Sequence, residues 1–209
     1  MLKVTSVTVG ALSTNCYFLT DPSSSDTLVV DPGDSGEYIL TRLSTLEYTP
    51  VAVIATHGHF DHILGAFEIQ IAMDLPFKIA PADEFLVRSM QSSAGHFLGL
   101  TQVDPPPRIT DYLREDSELR IGSISIKLLS VPGHTPGSMA LYDPEGILLS
   151  GDTVFAGGDI GRTDFRYSDR AAMEKSVDKI LSLPAATVIY PGHGDTTTVG
   201  EELRYRSAT

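Results

Sequence analysis

The chain has 209 residues, 42% of them apolar, enough to bury a sizeable core and a better fit to one domain spanning 1–209 than to two. Its formal net charge of −12 repels polyanions over most of the surface, which sets nucleic acid and anionic membranes aside as partners. The single cysteine, Cys16, excludes an internal disulfide framework, and the opening MLKVTSVTVGALSTNCYFL lacks the basic start and unbroken apolar stretch of a signal peptide, so a cytoplasmic protein is expected.

In chain order, LKVTSVTV, CYFL and TLVVD read as strands, being short, rich in β-branched and aromatic residues, and bounded by turn formers. Helical spacing follows over Tyr38 to Leu46, then a strand in VAVIAT, a helix over Ile63 to Met73, a strand in FKIA and a helix over Glu84 to Met90. The cluster Asp104-Pro105-Pro106-Pro107 reads as a surface connection between two halves. Beyond it, ISIKLLSV, SMALY and GILLSG read as strands. Met173, Val177, Ile180 and Leu181 share one face of a helix over Arg170 to Leu181, capped by Ser168 or Asp169, and TVIYPG is the last strand. Strands and helices interleaved in both halves predict α/β layers with helices covering sheets.

Five of the six histidines follow one local pattern: an apolar run, one or two turn residues, then the side chain. VAVIAT leads to His57, IKLLSVPG to His134 and TVIYPG to His193; GILLSG leads in the same way to Asp152. Strand ends at one edge of a layered fold are where sites are assembled. Convergence of these four ends predicts a cluster of His57, His59, Asp61, His62, His134, Asp152 and His193. One zinc ion uses three or four protein ligands, so seven imidazole and carboxylate groups point to two divalent metal ions, zinc first, with iron or manganese also suited. His57 and His59 are two apart on an extended loop with Gly58 between them, while Asp61 and His62 enter the next helix and point elsewhere. Asp31, following TLVV, could be a ligand itself, but its position favours a carboxylate that orients a histidine. His96 has no such context and reads as an ordinary loop or helix residue; Cys16 reads as a buried small side chain. Arg162 and Asp164 read as pairing with one another or with the backbone to hold their loop, with substrate contact as the alternative.

These residues resemble the metallo-β-lactamase superfamily, whose HxHxDH motif stands here as His57-Gly58-His59-Phe60-Asp61-His62. His134 lies in PGHTPGS, Asp152 in SGDT, His193 in PGHGD and Asp31 in VVDPG, matches that run from about residue 10 to 195. The resemblance implies a four-layer αββα sandwich. Within the superfamily the chain is similar to the glyoxalase II group, the hydroxyacylglutathione hydrolases, notably through FAGGDIGRTDF at 155–165. The chain ends sixteen residues after His193, so the likeness is to a short form without the C-terminal helical domain of full-length members.

By that likeness His57, His59 and His134 hold one metal, Asp61, His62 and His193 the other, and Asp152 bridges. The implied activity is hydrolysis of a small-molecule thioester such as S-lactoylglutathione by a metal-bridging hydroxide, with Asp61 and Asp152 as the catalytic carboxylates. The alternative is a persulfide dioxygenase-like oxidoreductase with a single iron on His57, His134 and Asp152.

Overall fold

The computed structural model describes residues 1–208. Six strands form a first sheet in sequence order: β1 (Lys3–Val9), β2 (Thr14–Thr20), β3 (Asp26–Val30), β4 (Thr49–Ile54), β5 (Phe77–Ile79) and β6 (Ile109–Tyr112). β1, β2 and β3 are antiparallel, and β3 to β6 run parallel. The second sheet contains β7 (Glu118–Ile121), β8 (Ile124–Ser130), β9 (Met139–Asp143), β10 (Ile147–Gly151), β11 (Val188–Pro191) and β12 (Thr197–Thr198), antiparallel except for the parallel pair β10 and β11.

The period of two along each strand divides the core into three apolar layers. In β2, Cys16 and Phe18 pack with the outer layer of the first sheet, while Tyr17 and Leu19 face the layer between the sheets. Val29, Val53 and Phe77 join the outer layer, which is covered by helices α1 (Gly36–Thr45), α2 (Phe60–Ile63), α3 (Ala66–Met73), α4 (Glu84–Arg88) and α5 (Met90–Leu98) through Ile39, Leu43, Ile63, Ile69 and Met90. In β9 the alternation recurs: Met139 and Leu141 face the middle layer, Ala140 and Tyr142 the far side. There α6 (Arg170–Leu181) packs Met173, Val177, Ile180 and Leu181 on the second sheet, beside Val199 of α7 (Val199–Ala208). The order helix, sheet, sheet, helix is the expected αββα sandwich.

α6 has the expected limits, and its cap is Asp169, whose Oδ1 accepts the Ala172 N–H at 3.0 Å. The predicted helix at 63–73 is instead two helices broken at Leu64 and Gly65. A Cβ at position 65 would sit 2.9 Å from the Asp34 carbonyl, so glycine lets the chain pass close to the loop after β3. The proline cluster does not join the two halves. It precedes β6, still in the first sheet, and the crossing to the second sheet falls at 113–117. No helix among the described residues is long and apolar enough to cross a membrane.

Candidate metal centre

The sandwich brings four strand ends to one edge. His57 follows β4, His134 follows β8, Asp152 follows β10 and His193 follows β11, while α2 carries Asp61 and His62. All seven predicted side chains lie in one cluster there. His57 Nε2 and His134 Nε2 approach His59 Nδ1 to 3.0 and 2.8 Å. Beside this triad, His193 Nε2 lies 3.3 Å from His62 Nε2 and 3.4 Å from Asp61 Oδ2. Asp152 stands between them, with Oδ2 3.6 Å from both His134 Nε2 and His193 Nε2 and Oδ1 3.5 Å from His62 Nε2.

The outward nitrogens define the tautomers. His134 Nδ1 donates to the Arg162 carbonyl at 2.9 Å, His193 Nδ1 to the Leu12 carbonyl at 3.1 Å, and His62 Nδ1 to Asp31 Oδ2 at 3.0 Å. Each acceptor lacks a proton, so each Nδ1 carries one. The Thr56 hydroxyl donates to Asp31 Oδ2 at 2.7 Å, leaving its lone pair to accept from His57 Nδ1 at 3.1 Å. His59 is turned the other way, its Nε2 facing the Tyr167 hydroxyl at 2.8 Å. With His59 Nε2 donating to that hydroxyl, three imidazole lone pairs, from His57, His59 and His134, converge without a proton between them, an arrangement suited to a cation.

Electrostatics point the same way. Burial, reinforced by neighbouring imidazoles, holds His57 far below the ordinary imidazole range and pushes His59 down to about 3, so both are neutral electron-pair donors. Burial also opposes a charge on His62, but Asp152, Asp31 and Asp61 outweigh it and raise its pKa. That half of the cluster attracts positive charge, which a divalent ion supplies better than a proton. Burial likewise works against ionised Asp152, and the imidazoles of His62, His134 and His193 reverse it and keep the carboxylate ionised. Asp152 Oδ1 is buried without a hydrogen-bond donor. An ionised oxygen left without a donor fits a metal ligand. Glycine at 192 leaves room for it, since a Cβ there would overlap Asp152 Oδ1 and come within 2.7 Å of His62 Cε1.

Asp31 plays the orienting part expected of it, buried, with Oδ1 accepting the Thr56 N–H at 2.7 Å and Oδ2 shared by Thr56 and His62. Arg162 and Asp164 form a two-pronged ion pair at 2.6 Å, as expected. His96 lies on α5 and belongs to none of the metal-competent groups. Three contributors went unread in the sequence. Buried Asp83 accepts the N–H of Gly58 at 2.9 Å, the Thr135 hydroxyl at 2.7 Å and the N–H of Gly137 at 2.7 Å, tying the His57 loop to the His134 loop. Asn15 donates to the carbonyls of Pro191 and Gly194 at 3.1 and 2.9 Å and so anchors the loop carrying His193 to β2. Tyr167 steadies His59. Thr56 was also unread, although its hydroxyl directly before His57 is a local signal, an oxygen beside the first candidate ligand.

The family model described as the metallo-beta-lactamase superfamily matches residues 9–193, and the chain belongs to that superfamily. Among its relatives, the probable metallo-hydrolase YqgX of Bacillus subtilis is 35% identical over 195 residues, covering 91% of this chain and 90% of the relative. The hydroxyacylglutathione hydrolase GloC of Haemophilus influenzae is 30% identical over 206 residues, covering 97% and 96%. Among solved structures, TTHA1623 in a di-iron-bound form superposes with a TM-score of 0.88 at 37% identity, over 96% of this chain and 98% of that one. The B3 metallo-beta-lactamase BLEG-1 gives 0.87 at 30% identity over 97% of both chains. ETHE1 from Myxococcus xanthus gives 0.77 at 22% identity, over 97% of this chain and 82% of that one, a likeness of fold.

Proposed function

We propose that this protein is a metal-dependent hydrolase of thioesters such as S-lactoylglutathione. The observation that carries the reading is the pair of adjacent ligand groups with Asp152 between them, each imidazole having its outward nitrogen tied to an oxygen partner. The likeness to the Haemophilus influenzae hydrolase supports the choice of substrate. In this reading His57, His59 and His134 hold one ion, Asp61, His62 and His193 the other, and Asp152 serves both. Zinc is the first choice for a set of imidazoles and carboxylates, and iron or manganese also suits it.

Two divalent cations bound there would supply a Lewis acid for the acyl oxygen and a water of lowered pKa. The chain does the rest. Asp61 and Asp152 present carboxylate oxygens beside the imidazoles and orient the water that attacks the acyl carbon. His57, His62, His134 and His193 donate Nδ1–H outward and His59 Nε2 is engaged by Tyr167, so with the inward nitrogens on the metals no imidazole of the cluster is left to act as a general base. The leaving thiolate has a parent pKa of about 8.5 and departs without a strong general acid, which suits a site whose acid groups are all engaged.

The test is thiol release from S-lactoylglutathione by protein loaded separately with zinc, iron and manganese. Release that follows metal loading supports the reading. Oxygen uptake with glutathione persulfide, without thiol release, overturns it in favour of the single-iron oxidoreductase.

A further inference from the structure

The centre opens into a cleft of about 420 Å³ whose walls differ sharply from the acidic surface elsewhere. Apolar side chains dominate it: Leu12, Phe60, Leu86, Phe97, Leu98 and Phe165. Two stacked aromatic pairs flank it. Phe60 lies parallel to Phe97 with centroids 5.9 Å apart, and Phe165 parallel to Tyr167 at 5.3 Å. Leu12 and Phe97 remain 45% and 54% exposed, a cost that a protein-facing core would have removed. Among the described residues lining the cleft, Arg162 alone carries a fixed positive charge. Its guanidinium is already engaged by both Asp164 oxygens and lies 4.4 Å from the Phe165 ring centroid. The other charged groups facing the cleft are Asp61 and Asp152, which belong to the metal cluster.

We infer that the group the cleft recognises best is apolar and uncharged, a medium-length acyl chain or an aromatic ring carried on one arm of the thioester, in preference to an anionic peptide such as glutathione. The inference rests on the thioester reading above and specifies what flanks the scissile bond. Away from the metal cluster, an anionic peptide would bring carboxylates to walls whose one side-chain cation, Arg162, is already paired with Asp164, and would lose hydration without return. A hydrocarbon would instead cover Leu12 and Phe97 and enter between the aromatic pairs. At about 25 cal/mol per Å² of apolar surface, each buried methylene is worth roughly a three- to fourfold gain in binding.

Two series of thioesters test this with metal-loaded protein. One varies the acyl arm from acetyl to octanoyl on N-acetylcysteamine; the other holds the acyl arm as acetyl and lengthens an alkyl thiol. The expected result is a kcat/KM that climbs about threefold per methylene on at least one arm, until the cleft is filled, and exceeds that of S-lactoylglutathione. The Phe97→Ser variant, altered at an exposed position, should reduce the octanoyl-to-acetyl ratio severalfold. Flat series on both arms, with S-lactoylglutathione preferred, overturn the inference while leaving the thioesterase reading intact. If no thioester is cleaved, that reading fails, and calorimetry with S-hexyl and S-methyl thioethers of N-acetylcysteamine still decides the cleft: tighter hexyl binding upholds its apolar selectivity, equal binding rejects it.

Discussion

Asp31 Oδ2 accepts the Nδ1–H of His62 at 3.0 Å, and both side chains are buried. The same carboxylate takes two further hydrogen bonds from Thr56, whose hydroxyl accepts from His57. One carboxylate thus aims an imidazole of each ligand group, one directly and one through a hydroxyl. Such outer partners are worth about 10- to 100-fold in metal affinity. Asp31→Ala is expected to weaken metal binding by that factor, read by competition with a chromogenic chelator. Unchanged affinity would mean that packing alone orients His62 and His57.

Asp83 sits beneath two ligand loops and satisfies the Gly58 and Gly137 N–H groups and the Thr135 hydroxyl. Burial raises its pKa in spite of these three donors, so the carboxylate is held at some cost by the geometry around it. Asp83→Ala would leave buried donors unpaired at about 1–3 kcal/mol each. The expected outcome is a lower urea midpoint at unchanged m-value, corresponding to a loss of several kcal/mol of stability, and weaker metal retention at the His57, His59 and His134 group. A variant with full stability would show that water or a small shift replaces the carboxylate.

The parts of this architecture that were legible in the sequence are those with a local physical signal. The helix at Arg170–Leu181 has an apolar stripe and an aspartate cap, and its limits are those predicted. The seven clustered side chains all follow apolar runs or lie within one short motif, so strand ends located them. β6 and β7 were not legible because ITDY and ELRI are edge strands with half their side chains in water, and charge hides the alternation. α7, with the sequence VGEELRYRSA, is strongly polar and gives little apolar periodicity. Asp83, Asn15 and Tyr167 were invisible for another reason: each acts on loops 25 to 179 residues away, and nothing beside it in the chain declares those partners.

Asp21, directly after β2, joins the first sheet to the second. Its Oδ1 accepts from the Ser23 N–H and hydroxyl, and its Oδ2 from the N–H and hydroxyl of Ser123, in the β7–β8 turn, at 2.7–2.8 Å. These bonds, those from Ser23 first, hold the carboxyl below its ordinary range. A carboxyl depressed in the folded state contributes stability that is fully present above its unfolded pKa of about 3.9 and is lost as the pH falls through the folded value. Thermal melting followed from pH 6 to pH 2 should therefore show a steeper decline for the wild type than for Asp21→Asn. Parallel curves would remove Asp21 from the acid sensitivity of the fold.

In the proposed centre, seven side chains would form two adjacent ion sites sharing Asp152. Elemental analysis of protein saturated with zinc and freed of excess by gel filtration tests it directly. Two equivalents per chain are predicted for the wild type, falling to one or fewer in Asp152→Ala, because the lost carboxylate faces both groups. A single tightly held equivalent in the wild type, or two retained in Asp152→Ala, would contradict the account.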